Sequence, residues 1–185
     1  MKKKGLVEKK RFRQEKIFLI FLGLVAVFCL SFCGCGEMGG YSSESLFTED
    51  VTSIYVEMFD NRSFRRGVEY ELTDALAKRI EVETPYKIVS SRDRADTVIS
   101  GQIVAINNSV LVSERQTGRA LEKEVELSAV VDWKNLKTGE LLLNHKIVSA
   151  AGTYSEWQNQ GFDYGASLAA NNLAREIVEL MEKEW

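Results

Sequence analysis

Residues 122–133 constrain the fold more than any other stretch of the chain. Val125, Leu127, Ala129, Val131 and Trp133 alternate with Glu124, Glu126, Ser128, Val130 and Asp132. A backbone whose side chains repeat every two residues puts the first set on one face and the second on the other, whereas a helix would mix them. The stretch therefore predicts a strand of an antiparallel sheet, dry on one face and largely polar on the other. Residues 135–139 (NLKTG) read as a turn, so residues 141–151 return as the next hairpin arm, in a register that its run of leucines leaves open.

The remaining elements follow from the same periodicity. Residues 51–59 are β-rich, with Ile54, Val56 and Met58 on one face and Asp60-Asn61 as the stop. Residues 66–82 predict a helix, because Val68, Leu72, Ala75, Leu76 and Ile80 form one apolar stripe and Glu71, Asp74, Lys78 and Arg79 lie off it. Pro85 closes that region and residues 86–89 form a short strand. Residues 92–94 read as a turn. Residues 96–106 form a strand with Gly101 in its middle, at a bulge or a close backbone approach. A polar connection over 157–165 leads into a closing helix over 166–184, whose apolar positions are Ala170, Leu173, Ala174, Ile177, Leu180 and Met181. The order is β-α-β-β-β-α. Consecutive strands pair as hairpins and leave the helices to cover one face. The expected architecture is a two-layer α/β sandwich: a mixed sheet of about four strands with two helices packed on one face, forming one domain over residues 51–185.

The N-terminal segment has a different character. Residues 1–16 carry eight Lys or Arg against Glu8 and Glu15, and residues 17–32 (IFLIFLGLVAVFCLSF) carry no charge. Sixteen apolar residues fall short of the ~20 that a bilayer-spanning helix needs. A basic stretch, a short apolar run and then small residues have the form of a secretory signal. The residues that follow, FCGCG, resemble bacterial lipoprotein signals, in which a small residue precedes a cysteine that becomes the lipidated first residue. Gly34 precedes Cys35, whereas bulky Phe32 precedes Cys33 and Cys29 lies inside the apolar run. The expectation is a lipoprotein signal peptide over 1–34, lipidation at Cys35, and a flexible tether over 35–50 containing Gly36, Gly39 and Gly40. An uncleaved membrane anchor is the alternative. Either one tethers the domain to a membrane facing an exported compartment. After cleavage Cys35 is the only thiol, so no intrachain disulfide supports the fold.

Beyond the leader the chain holds sixteen basic and twenty-five acidic residues, a net of -9. Such a body is a poor binder of nucleic acid, which relies on Lys and Arg neutralising phosphates. The single histidine, His145, excludes a His-rich metal site and leaves one possible base for a nucleophilic triad. Residues 35–185 contain no GxSxG, HExxH, P-loop or CxxC and no cofactor motif. Asp132 and Asp163 lack an identifiable nucleophile or paired acid. No catalytic residue, metal or cofactor is expected, and His145 reads as structural or solvent-facing. Basic residues are sparse after Arg94. Arg115, Arg119 and Lys123 bracket one hairpin, Lys134 and Lys137 flank the next turn, and Lys146 lies on its second arm. Brought together they would capture an anion such as phosphate; kept apart they form a solubilising face. Trp133 belongs to the core, while Tyr154 and Trp157 divide between packing and partner contact.

The ordered motifs carry a family resemblance. Ile54, Val56, Phe59 and Asn61 are followed by Glu69, Leu72, Thr73, Ala75 and Leu76, then by Ala95, Asp96, Ile99, Gly101 and Ile103. TPYKIV over 84–89 and WKNLKTGELLL over 133–143 add to the series. Behind a lipoprotein-like signal, the set resembles the LptE family of lipopolysaccharide-assembly lipoproteins. It departs in the lipobox, where Phe32 and Cys33 stand in place of the usual Leu and small residue, in the GEMG insert between Cys35 and Tyr41, and at Ile99, where the family has Leu. The resemblance implies a non-enzymatic, lipid-anchored protein on the periplasmic side of the outer membrane. It implies a sheet backed by two helices, seated in the lumen of a large β-barrel translocon (LptD) and assisting lipopolysaccharide insertion. Basic residues near one inter-strand loop and on the last strand bind lipopolysaccharide in the family, and Arg115, Arg119 and Lys146 occupy comparable places. Two other readings stand beside it: an accessory lipoprotein of another envelope transport complex, and a small hydrolase using a Ser/Asp pair.

Overall fold

The computed structural model describes residues 46–48 and 50–182. The expected signal peptide over 1–34, Cys35, nearly all of the expected tether and Trp185 lie outside the described residues. The described elements are β1 (Ser53–Val56), β2 (Asp60–Asn61), α1 (Val68–Glu83), β3 (Lys87–Ile88), β4 (Thr97–Ser113), β5 (Ala120–Asn135), β6 (Leu141–Tyr154) and α2 (Phe162–Glu179). Single turns of 3-10 helix at Arg92–Arg94 and Glu156–Gln158 join them.

The sheet runs β3-β1-β4-β5-β6, and β2 pairs with β4 beyond the end of β1. β1 is parallel to β3 and β4, β2 is parallel to β4, and β4, β5 and β6 are antiparallel neighbours. The sheet is mixed and both helices back it, as the sequence predicts, but it has six strands rather than about four. The excess arises from the short strand Lys87–Ile88, which joins the sheet beside β1, and from residues 57–59, where the first strand breaks in two. That break changes which side chain enters the core: Phe59 is buried and Met58 is 49% exposed, the reverse of a period of two continued from Val56.

Gly101 explains how Phe59 gets in. A Cβ at Gly101 would lie 2.4 Å from the Phe59 ring, so the missing side chain is the space the ring fills. This is the close approach that a mid-strand glycine signals. A second glycine pair sets the other helix. A Cβ on Gly152 of β6 would lie 2.4 Å from the Gly165 carbonyl of α2. Backbone therefore packs on backbone there. The helix begins at Phe162, four residues before the expected 166, because Gly165 belongs to this contact rather than to a loop.

The core is the layer between sheet and helices. Val125, Leu127, Ala129 and Val131 are fully buried on β5 and meet Leu72, Leu76, Ile80, Leu173 and Ile177 from the two helices. Trp133 closes one end beside Tyr86, with ring centroids 5.9 Å apart.

Asp96 pins β1 to the start of β4. Its Oδ2 accepts from the Thr52 N–H (3.1 Å), the Thr52 hydroxyl (2.5 Å), the Ser53 N–H (3.0 Å) and the Ser53 hydroxyl (2.9 Å). Lys137 Nζ lies 2.5 Å from its Oδ1. The Lys137 ammonium, and then the Thr52 hydroxyl, hold this carboxyl well below the usual carboxylate range.

Candidate functional site

The helices do not cover the whole sheet. α2 reaches β5 as far as Val125, which a Cβ on Gly165 would approach to 3.1 Å. Beyond that pair and Tyr154, neither helix covers the inner face among the described residues. Residues 107–113 of β4 are all exposed, although Val110, Leu111 and Val112 are apolar. The sequence reading ends this strand at 106, just before the polar run Asn107-Asn108-Ser109. The strand continues because β5 pairs with it through Ser113 and Ala120. Tyr154, buried at the boundary, bonds Asn108 Nδ2 through its hydroxyl at 3.2 Å.

The tip of this hairpin is a built turn. The Glu114 N–H donates to the Arg119 carbonyl and the Gly118 N–H to the Glu114 carbonyl, both at 2.8 Å. Gly118 takes φ +70, a value that favours glycine. The Arg119 guanidinium lies 4.4 Å from the centre of the Trp157 ring, so Trp157 serves as an exposed platform for a cation. Lys123 pairs with Glu156 at 2.5 Å. That hydrogen bond raises the lysine pKa and lowers the glutamate pKa. Arg115, on the same turn, forms no ion pair among the described residues. The end of the hairpin thus combines an apolar triplet with two guanidinium groups.

The cations singled out in the sequence fall into separate groups. Arg115, Arg119 and Lys123 gather at the hairpin tip. Lys146 pairs with Val131, eleven residues along β5 from Ala120, roughly 36 Å away at strand spacing. Lys134 and Lys137 lie at that far end too, where Lys137 is committed to Asp96. No single patch contains all of them.

The outer face of the sheet carries an open cleft of about 550 Å³ whose lining includes Ser100, Gln102, Val130, Asp132 and His145. His145 sits at a bulge with φ +48; its N–H donates to Asp132 Oδ1 at 2.8 Å and its Nδ1 lies 2.9 Å from the same oxygen. This is a base with an orienting carboxylate, and Ser100 supplies a hydroxyl to the same cleft. No hydrogen bond joins Ser100 to His145 among the described residues, and the imidazole is 76% exposed. The arrangement lacks the nucleophile–base contact that activates a serine. Asp163 lies in the first turn of α2.

Against this geometry, a family model described as "LptE: Lipopolysaccharide-assembly" matches residues 51–184. The chain belongs to the LptE family. It is a lipopolysaccharide-assembly lipoprotein of the bacterial envelope, and the match spans every described strand and helix. Among curated proteins none matches it. Solved structures with a similar course include the hypothetical protein CT253 from Chlamydia trachomatis, 13% identical at a TM-score of 0.48, covering 69% of this chain and 94% of that one. Lipoprotein B from Nitrosomonas europaea is 13% identical at 0.47, covering 70% and 81%. The rare lipoprotein B from Shewanella oneidensis is 14% identical at 0.43, covering 70% and 93%.

Two features of the LptE chain escape sequence reasoning. One is the apolar triplet of the hairpin, hidden inside a polar run. The other is the loop over 62–67, absorbed into the approach to α1, where Phe64 stands wholly in solvent among three arginines. The spacing RSFRR was the available signal for the second.

Proposed function

We propose that this LptE-family chain is anchored through Cys35 to the periplasmic side of the outer membrane. There it plugs an LptD-type β-barrel translocon, helps it assemble, and assists the transport and insertion of lipopolysaccharide. The family match over residues 51–184 carries the reading. The molecule suits it physically. A large barrel encloses a polar, water-accessible lumen. The outer sheet face presents Glu124, Glu126, Ser128, Asp132 and Ser149 to solvent or partly so, chemistry that such a lumen accepts. The net charge of -9 beyond the leader would repel a phosphate-rich lipid, so attraction to lipopolysaccharide has to be local. Arg115 and Arg119 supply it next to Val110, Leu111 and Val112, pairing cations for phosphate with an apolar surface for acyl chains. Lys146 forms a separate contact at the other end of the sheet. The role is non-enzymatic.

The test is co-purification of the tagged full-length chain from detergent-extracted outer membranes. The reading expects a large β-barrel in stoichiometric amount. Recovery without any barrel, or from the inner membrane, overturns it.

A further inference from the structure

The loop between β2 and α1 is held rigidly around one side chain. Asn61 Nδ2 donates to the Arg65 carbonyl at 2.6 Å and to Glu69 Oε2 at 2.7 Å, while its Oδ1 accepts from the Ser63 N–H at 2.8 Å. The Gly67 N–H donates to the same Glu69 carboxylate at 3.0 Å, with Gly67 at φ +101. Arg66 Nη1 bonds the Asn61 carbonyl at 3.3 Å and the Arg65 guanidinium sits 3.9 Å over the Phe162 ring. So fixed a loop holds Phe64 with no cover at all, at 105% relative exposure.

A lone exposed apolar residue needs no explanation. This one has company. Met58 is 49% exposed and Tyr70 62% exposed on either side of the loop, and Arg62, Arg65 and Arg66 surround the ring in sequence. Residues 62–67 hold three arginines, no lysine and no acid. Aromatic residues, methionine and arginine with lysine absent are the composition of a protein–protein interface core. An aromatic anchor flanked by arginine is the usual make-up of a binding hot spot, and a preformed loop lowers the ordering cost of using it.

We propose that Phe64 docks into an apolar socket of a protein partner whose rim carries carboxylates, and that Arg62 meets that rim. The inference rests on the barrel-partner reading and places this socket on the barrel. Charge complementarity selects the occupant. The loop is a cationic island on an acidic body, so a wall that is cationic elsewhere and acidic at this socket accepts the molecule in one orientation only. An anionic lipid surface is the competing occupant, and the crosslink from position 64 separates the two.

The experiment compares the full-length wild type with Phe64→Ala and Phe64→Ala/Arg62→Ala for binding to the solubilised outer-membrane barrel recovered with the wild type. A photo-crosslinking residue at position 64, with one at exposed Val82 as control, reports the contact. Binding at least tenfold weaker in the double variant, unchanged thermal melting, and a crosslink from 64 but not 82 to the barrel protein are expected. Equal barrel binding by wild type and variants, or a crosslink from 64 to lipopolysaccharide alone, overturns the inference while leaving the functional reading intact. Failure of the wild type itself to bind any barrel takes down both.

Discussion

β4 and β5 are continuous strands with two unlike halves. From Thr97 to Ile103 and from Val125 to Trp133 their inner face lies beneath the helices, and its side chains are buried almost completely. From Asn107 to Leu121 the same ladder runs past the helices, and Val110, Leu111 and Val112 are about half exposed. The backbone pairing is alike in both halves, so the difference lies in what packs on the sheet. Burial of apolar surface stabilises the first half; the second half holds its shape by hydrogen bonding and leaves its apolar side chains exposed. Under the proposed function, folding and recognition fall at different ends of one hairpin.

Substitution in the covered half should have the largest effect. Leu127→Ala removes a fully buried side chain of the core layer and should cost about 2–5 kcal/mol, read by urea denaturation. The next effect comes from Asp96, where the strands begin. Asp96→Ala leaves the Thr52 and Ser53 donors without their acceptor and should cost about 2–3 kcal/mol. Its pH signature has a definite sign. The folded-state pKa lies below the unfolded one, near 3.9. The contribution is complete above about pH 5 and is lost as pH falls through 4 toward the folded value. Denaturation midpoints at pH 6 and pH 3 should differ less for Asp96→Asn than for the wild type.

Gly152→Ala comes third. Its Cβ would meet the Gly165 carbonyl at 2.4 Å, so α2 must shift outward, at a cost of about 1–3 kcal/mol in thermal melts. In the bare half, Leu111→Ser should change stability by less than about 0.5 kcal/mol, because the side chain is already half in water. A larger loss there would mean that the hairpin end is part of the core, and the comparison would break.

How much of this was readable in the sequence follows the same division. Where one face is dry, periodicity names the residues: the β5 alternation and the α1 stripe of Val68, Leu72, Ala75, Leu76 and Ile80 are buried as expected. The expectation failed at 57–59 because a strand break shifts the phase, and a period of two carries no record of a partner glycine. Phe59 enters the core only because Gly101, more than forty residues later, leaves room for it. Helix α2 begins earlier than its composition suggests for the same reason, since Gly165 answers Gly152. In the bare half no face is dry, so periodicity vanishes, and the expected strand stops at Ile106. The cations were visible as residues, but their separation into two groups depends on the register of β6 against β5, which a run of leucines does not encode.

The most direct measurement is lipopolysaccharide binding by the full-length chain carrying Arg115→Asp, Arg119→Asp and Leu111→Ser, with thermal melting recorded on the same samples. The account predicts binding at least tenfold weaker and a melting temperature within about 2 °C of the wild type. Undiminished binding, or a loss of binding that only accompanies a large fall in melting temperature, would contradict the separation of recognition from folding.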